Sequence, residues 1–194
     1  MEGRPKSSVR IVGIDPGLNI TGYGVIEVEG FQVRLSEAGI IRLPSSASRS
    51  LPARLEKLFQ ELQALLKEFR PRTLCLEEVY SHAIFPRTAI LMGHARGVIC
   101  LAARMAGVPV VSFSPKRIKQ SVTGNGNASK LQVQRSVGHF FSLRQTPHPP
   151  DVADAIAAAL CYVNSLRAAR PNSGAIDSGW DRRSRRLRPR THDL

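Results

Sequence analysis

Apolar and polar residues alternate with the period of β-strands along the first part of the chain. Residues 9–15 form a β-branched run that ends at Asp15, directly before a Pro-Gly pair, which predicts a strand with a carboxylate at its tip. Two further runs, over residues 22–28 and 31–43, meet at a Glu-Gly pair. We therefore expect a three-strand antiparallel meander before the first helix.

The spacing then changes to that of a helix. Eight apolar residues repeat at helical intervals: Leu51, Leu55, Leu58, Phe59, Leu62, Leu65, Leu66 and Phe69. Pro71 ends this helix, because proline cannot continue the hydrogen-bond ladder. The apolar run 73–76 follows and predicts a fourth strand, with Glu77 at its end.

Helix and strand signals alternate in the rest of the chain. Ser114 before proline is a suitable helix start, and Ser129 with Gln132 forms a capping box. The predicted elements are a helix over about 88–106, a strand over 108–113, a short helix from 115, a helix over 129–141 and a last helix from 150 to about 167.

This order of elements predicts one α/β domain over residues 9–167. Three meander strands precede alternating helices and strands, which indicates a mixed central sheet of three antiparallel and two parallel strands, flanked by helices. Residues 1–8 are predicted to be an N-terminal extension. Residues 168–194 contain seven arginines and few apolar side chains, so we expect a basic disordered tail that adds salt-dependent affinity for a polyanion.

The charge and the cysteines narrow the class of partner and the compartment. A net charge of +13, from 28 Lys and Arg against 15 Asp and Glu, favours DNA, RNA or an anionic membrane surface. No apolar run approaches the about 20 residues of a membrane span, and the first residues lack the apolar segment of a signal peptide. Cys75, Cys100 and Cys161 lie in apolar runs without a CxxC pair. We expect buried thiols in the reducing cytoplasm, no zinc site and no membrane insertion.

Four carboxylates are the candidate chemistry. Asp15 and Glu77 end two strands, and they converge at one sheet edge if those strands pair in parallel. Asp151 and Asp154 are three residues apart, so they share one face of the first turn of the last helix. If that helix docks over the first strand, the four charges raise one another's pKa values or require a counter-ion.

Oxygen ligands of this kind favour Mg²⁺ or Mn²⁺ over Zn²⁺. Two such ions, about 3.5–4 Å apart, activate a water and stabilise the leaving oxygen of a phosphodiester. The residues therefore predict a metal-dependent nuclease with a negative site on a positive chain.

Each candidate also has a structural explanation. The aspartate before the Pro-Gly pair has ordinary turn chemistry, while Asp151 is a suitable N-cap and Asp154 complements the helix dipole. Glu78 is an alternative to Glu77, although strand alternation places the two on opposite sides. His148 is either an accessory catalytic group or an exposed loop histidine.

Seven stretches in order resemble one family. They are Gly13–Gly17, Thr21–Gly24, Leu76–Tyr80, Gly93–Val98, Lys119–Gly124, Asn127–Lys130 and Asp151–Ala155. Over roughly residues 9–166 the chain resembles the RuvC-type Holliday junction resolvases. The resemblance implies a ribonuclease H-like fold and a homodimer that cuts two strands of a four-way DNA junction, leaving 5′-phosphate and 3′-hydroxyl ends, in recombination and repair. It places the catalytic and metal-binding roles on four acids: Asp15, Glu77, Asp151 and Asp154.

The resemblance also implies contacts with DNA and with protein partners. Lys119 and Lys130 match basic positions near the family's active site, and Lys116 and Arg117 belong to the same predicted DNA-binding set. Tyr80 matches a base-stacking position, although a half-buried strand aromatic would look the same.

The helix around Arg96 resembles the family's dimer contact. It carries small residues that permit close approach, namely Gly93, Ala95, Gly97, Ala102 and Ala103. A core helix would use the same residues. A branch-migration motor complex of RuvA and RuvB is a further candidate partner.

Two other classes of protein share some of these features. An actin-like ATPase or kinase domain also has a Gly-Ile-Asp-Pro-Gly loop before a hairpin, but it needs a second phosphate loop and an adenosine site, for which 194 residues leave little room. A non-catalytic junction-binding protein has the basic surface. It gains nothing from four acids, because bare carboxylates repel phosphates.

Overall fold

Ten elements make up the fold. The structure, a computed structural model, describes residues 8–43, 50–78 and 86–169. Its elements in chain order are β1 (Val9–Asp15), β2 (Ile20–Glu29), β3 (Gln32–Arg42), α1 (Leu51–Phe69), β4 (Thr73–Glu77), α2 (Pro86–Met105), β5 (Val110–Phe113), α3 (Pro115–Thr123), α4 (Lys130–Phe140) and α5 (Pro150–Ala168). Tyr80, residues 1–7 of the predicted extension and residues 170–194 of the predicted tail lie outside the described residues.

Two predicted strand limits differ from the observed ones for local reasons. β2 begins at Ile20 because the hairpin is longer than predicted, and the Leu43 N–H donates to the Asn19 carbonyl at its base. β5 begins at Val110 because the Val108 N–H is bonded to the Ala103 carbonyl at the end of α2. Neither difference moves an acidic residue.

The five strands form one mixed sheet in the order β3-β2-β1-β4-β5. β1 pairs antiparallel with β2 and parallel with β4, with Ile11 opposite Thr73 and Ile14 opposite Leu76. β4 pairs parallel with β5. The predicted mixed sheet and the parallel pairing of the first and fourth strands are therefore confirmed.

Each face of the sheet is covered by its own helices. Alternation along β1 sends Ile11 towards α3, α4 and α5, and Val12 and Ile14 towards α1 and α2. Strand glycines face the α5 side of the sheet, where they leave room for the helix backbone. α5 rests directly on β1 and β2, because an added Cβ at Gly13 would lie 1.9 Å from the Ala155 carbonyl oxygen.

The helix caps follow the predicted chemistry. The Ser114 side chain accepts from the Arg117 N–H at the start of α3, and Ser129 and Gln132 form a complete capping box at the start of α4. Cys75, Cys100 and Cys161 are free thiols, the first and last of them buried. Among the described residues, none of the helices has the length and apolar character to cross a membrane.

Candidate active site

The four predicted acids lie around one cavity of about 270 Å³. Asp15 and Glu77 are the last residues of β1 and β4, and both share the strand parity of the α5 face. Asp151 and Asp154 lie in the first turns of α5. The structure therefore brings together the acids from both strand ends and from the last helix, as the parallel pairing requires.

A glycine contact places the start of α5 against the tip of β1. Gly22 of β2 is paired with Asp15, and an added Cβ at Gly22 would lie 2.1 Å from the Asp151 carbonyl oxygen. No side chain fits between this strand and the helix. The first turn of α5 is consequently held close to the carboxylate of Asp15.

Burial and mutual repulsion raise the pKa values of these acids. Burial, followed by the charges of Glu77, Asp154 and Asp151, raises the pKa of Asp15 to about 8. Burial and then Asp154 raise the pKa of Glu77 to about 7. Burial also raises the pKa of Asp154, although the Lys130 ammonium opposes the shift. The acids thus lose protons readily only when positive charge enters the cavity.

Two lysines supply positive charge at the rim. Lys130 Nζ lies 3.5 Å from Asp154 Oδ2, and the carboxylates around it raise the pKa of Lys130 against the effect of burial. Lys119 also lines the cavity and lowers the pKa of Glu77. Both lysines stand where a phosphate next to the acids would meet them.

The donor set fits hard divalent cations, because every acidic ligand offers only carboxylate oxygen. As the side chains stand, no three or more His, Cys, Asp or Glu residues in the described part of the chain form a ready metal-binding group. The acids surround the cavity instead of converging on one point. Asp154 is meanwhile engaged by Lys130, whose Nζ lies 3.5 Å from Asp154 Oδ2.

The other predicted site residues lie outside the cavity or outside the described residues. His148 is exposed and does not line it. Lys116 and Arg117 are exposed on α3, with the Arg117 guanidinium 5.1 Å from the centroid of the Phe113 ring. Glu78, the alternative to Glu77, is not among the lining residues, and Tyr80 lies outside the described residues.

Two arginines near the strand ends were not predicted as site residues. Arg54 of α1 is buried, and its guanidinium donates to the Leu18 carbonyl and to Asn19 Oδ1 in the loop that follows Asp15. Arg96 of α2 donates to the Glu77 carbonyl. Helical spacing could have revealed Arg54, since it lies on the apolar face of its helix. Met92 of α2, which lines the cavity, carried no sequence signal of its own.

A mixed five-stranded sheet that carries acids at the adjacent tips of β1 and β4, with a third element supplying further acids, defines an α/β domain of the ribonuclease H-like class. A family model described as crossover junction endodeoxyribonuclease RuvC matches residues 11–162. The chain belongs to the RuvC family of crossover junction endodeoxyribonucleases.

Individual relatives support this membership. The RuvC of Rhodopirellula baltica is 51% identical over 158 residues, which cover 81% of this chain and 88% of the relative, and that of Syntrophomonas wolfei is 41% identical over 159 residues, which cover 82% and 91%. The structure of Thermus thermophilus RuvC is 31% identical, with a TM-score of 0.74 and coverage of 83% and 97%. Membership of this nuclease family decides against the actin-like ATPase alternative.

More distant structures share the fold alone. The yeast mitochondrial Holliday junction resolvase is 14% identical, with a TM-score of 0.61 and coverage of 84% of this chain and 82% of that one. Since this likeness remains at so low an identity, the sheet and its helices persist where most side chains differ.

Proposed function

We propose that this protein resolves four-way DNA junctions by hydrolysing one phosphodiester in each of two strands, leaving 5′-phosphate and 3′-hydroxyl ends, in recombination and repair. The observation that carries the proposal is the cavity in which four acids and two lysines meet on a chain of net charge +13. The T. thermophilus relative, whose structure is known in complex with a Holliday junction substrate, supports the choice of substrate.

Asp15, Glu77, Asp151 and Asp154 are the proposed ligands of two Mg²⁺ or Mn²⁺ ions. When bound, such ions supply Lewis-acid activation of water and stabilisation of the leaving oxygen. The acids of this chain would hold and orient those ions, and the raised pKa values of Asp15 and Glu77 support the assignment, because burial and neighbouring carboxylates disfavour their charged forms unless a cation is bound. In this proposal the acidic cavity binds cations, and the basic residues around it bind phosphates.

The lysines bind the scissile phosphate in this proposal. Lys130 Nζ lies 3.5 Å from Asp154 Oδ2, and in the proposal this ammonium contacts a phosphate oxygen when Asp154 binds metal. Lys119 approaches from α3, and the exposed Lys116 and Arg117 of the same helix extend the basic surface. Tyr80 is the proposed stacking residue for an unpaired base, and His148 is a proposed accessory group.

A homodimer supplies the second cut, because one cavity acts on one strand at a time. The exposed side of α2 carries three apolar residues on one helical stripe: Ile90, Leu101 and Met105, which are 61%, 53% and 63% exposed. Gly93 and Gly97 lie along the same stripe, with open space where a Cβ would stand. Small residues of this kind allow a second copy of α2 to pack closely. We further propose that the protein acts in the cytoplasm and that a RuvA and RuvB branch-migration motor complex is its partner.

The experiment compares a synthetic four-way junction with a linear duplex of the same sequence, each with Mg²⁺, Mn²⁺ or EDTA. We expect symmetric nicks in the junction only, and only with metal. Asp15→Asn should lower the rate more than about 100-fold, since even residues that merely support metal ligands cost about 10–100-fold. Glu56→Gln, on the exposed side of α1, is the matched control and should cut normally.

The competing function is junction binding without turnover. It would be favoured by tight binding that persists in EDTA while neither ion produces nicks. Normal cutting by Asp15→Asn would remove the carboxylate site from the proposal.

A further inference from the structure

Arg96 connects the two strand ends next to the cavity. From α2, its Nη1 donates to the Glu77 carbonyl oxygen at 2.7 Å and its Nη2 donates to Ser112 Oγ at 2.7 Å. Glu77 ends β4 and Ser112 lies in β5, and both hydrogen bonds are partly buried. One planar guanidinium therefore fixes a helix, a strand end and the neighbouring strand relative to one another.

The backbone of Glu77 needs such a partner because it lies beyond the pairing of β1 with β4. That pairing ends at Ile14 with Leu76, so at Glu77 only β5 remains alongside, through Phe113. A strand end with one neighbour opens more easily than the middle of a sheet. The hydrogen bond from Arg96 gives the Glu77 carbonyl a partner at this position, and the second bond, to Ser112, anchors the guanidinium on β5.

The guanidinium and the carboxylate act on opposite sides of the sheet. Glu77 directs its carboxylate towards Asp154 and the lysines on the α5 side, whereas Arg96 approaches the carbonyl from α2 on the other side. Arg96 does not line the cavity, although Met92, one helical turn earlier, does. Its link to the cavity therefore runs through the backbone of Glu77.

The geometry points to Arg96 as a positioning residue that fixes Glu77 for metal binding, an inference that rests on the proposed function of the acids. Groups that orient metal ligands determine how well the ligands bind, typically by about 10–100-fold in affinity or activity. Arg96 would act in this way through the main chain of the ligand instead of through its carboxylate.

The test measures the metal concentration that gives half-maximal junction cleavage, together with kcat. In Arg96→Gln we expect the half-saturating Mg²⁺ concentration to rise and kcat to fall, together by about 10–100-fold. Junction affinity in EDTA should stay within about twofold of the unmodified protein. Arg34→Gln, at an exposed arginine of β3 away from the cavity and from α2, is the matched control and should behave as the unmodified protein does.

A purely structural role of Arg96 would lower the melting temperature and leave the metal dependence unchanged, and that result would overturn the inference. Should Arg96→Gln fail to fold, Ser112→Ala replaces it, because it removes one of the two acceptors. A shift in its metal dependence supports the inference, and unchanged dependence overturns it. Failure of the proposed function is seen separately, since the unmodified protein would then not cut the junction at all.

Discussion

The helices on the two faces of the sheet are buried to different extents. α5 lies against β1 and β2 with almost its whole circumference buried, and glycines in the strands admit its backbone. α1 and α2 instead present one buried side to the sheet and one exposed side to the surroundings. The α5 face holds Asp151 and Asp154 close to Asp15, and the outer side of the α2 face carries an exposed apolar stripe.

The surroundings of glycine differ between the two faces of the sheet. At Gly22 there is no room for a methyl group, because backbone atoms of α5 occupy the space. At Gly93 and Gly97 of α2 the space is open. The contact at Gly22 fixes the distance between β2 and α5, whereas the space at Gly93 and Gly97 is open at the surface of α2.

The largest expected effect comes from Gly22→Ala. The new Cβ would stand 2.1 Å from the Asp151 carbonyl oxygen, so α5 must move away from β2. We expect a loss of about 1–3 kcal/mol or more in the free energy of unfolding, as for other overpacked cores. Cleavage should fall by about 100-fold, because a shift of about 1 Å is enough to misplace Asp151 and Asp154 relative to Asp15. Urea unfolding and junction cleavage measure the two effects.

Gly138→Ala in α4 is the control for this change. An added Cβ there would meet only Thr146, at an ordinary distance of 3.7 Å. It should leave cleavage unchanged and alter stability by no more than about 1 kcal/mol, in the favourable direction for a helix. Equal effects of the two substitutions would mean that the close contact of α5 with β2 has no special role.

The next effect concerns the exposed stripe of α2. Leu101→Glu places a charge among Ile90, Leu101 and Met105, so we expect the dimer dissociation constant to rise by at least about 10-fold, equivalent to about 1.4 kcal/mol. Sedimentation equilibrium measures it directly. Phe31→Glu, at the β2–β3 turn and 65% exposed, should leave the mass unchanged. A monomeric unmodified protein at micromolar concentration would contradict the proposed interface.

The last prediction is a pH dependence of stability in EDTA. Folding raises the pKa of Asp15 from 3.8 to about 8, so between these values the folded chain binds more protons than the unfolded chain. The free energy of unfolding therefore falls as pH rises through this window. Asp15→Asn removes that loss, and its advantage in Tm should grow from pH 4 to pH 8, by about 2–4 °C for each kcal/mol.

Glu56→Gln, at an exposed site on α1, should show no comparable growth. Added Mg²⁺ should reduce the advantage of Asp15→Asn, because the ion stabilises only the intact carboxylate site. A Tm difference that stays constant with pH would show that Asp15 is not held in an unfavourable charged state.

Sequence periodicity was sufficient for the elements, whereas the convergence of the acids depended on two assumptions. Asp15 and Glu77 end short apolar runs, but the parallel pairing of β1 with β4 and the docking of α5 over β1 were conditions that only the structure could test. The side chain contacts of Arg96 and Arg54 could not be predicted in this way. Each joins segments far apart in the chain, at a carbonyl that any residue type would supply, so no local pattern marks the pair.

Strand alternation predicted that Glu77 and Glu78 lie on opposite sides of the sheet. It could not predict the distance between α5 and the sheet. Glycine is common near strand ends and turns, so Gly13 and Gly22 carry no distinctive sequence signal. Only the packed structure shows that each faces backbone atoms of α5. Lys130 likewise opens a helix as an ordinary first residue. Its contact with Asp154 depends on the docking angle of α4 against α5, which periodicity does not define.

The position of α5 at the end of the element order has a consequence for synthesis on the ribosome. A nascent chain that has emerged only as far as α4 carries Asp15 and Glu77 but neither Asp151 nor Asp154. Its central strands also lack the helix that covers one side of them. Because a domain folds as a unit and its N-terminal part is made first, the complete set of four acids assembles only after α5 has been made. A partly made chain therefore carries the basic residues of α3 and α4 before it carries all of the proposed metal ligands.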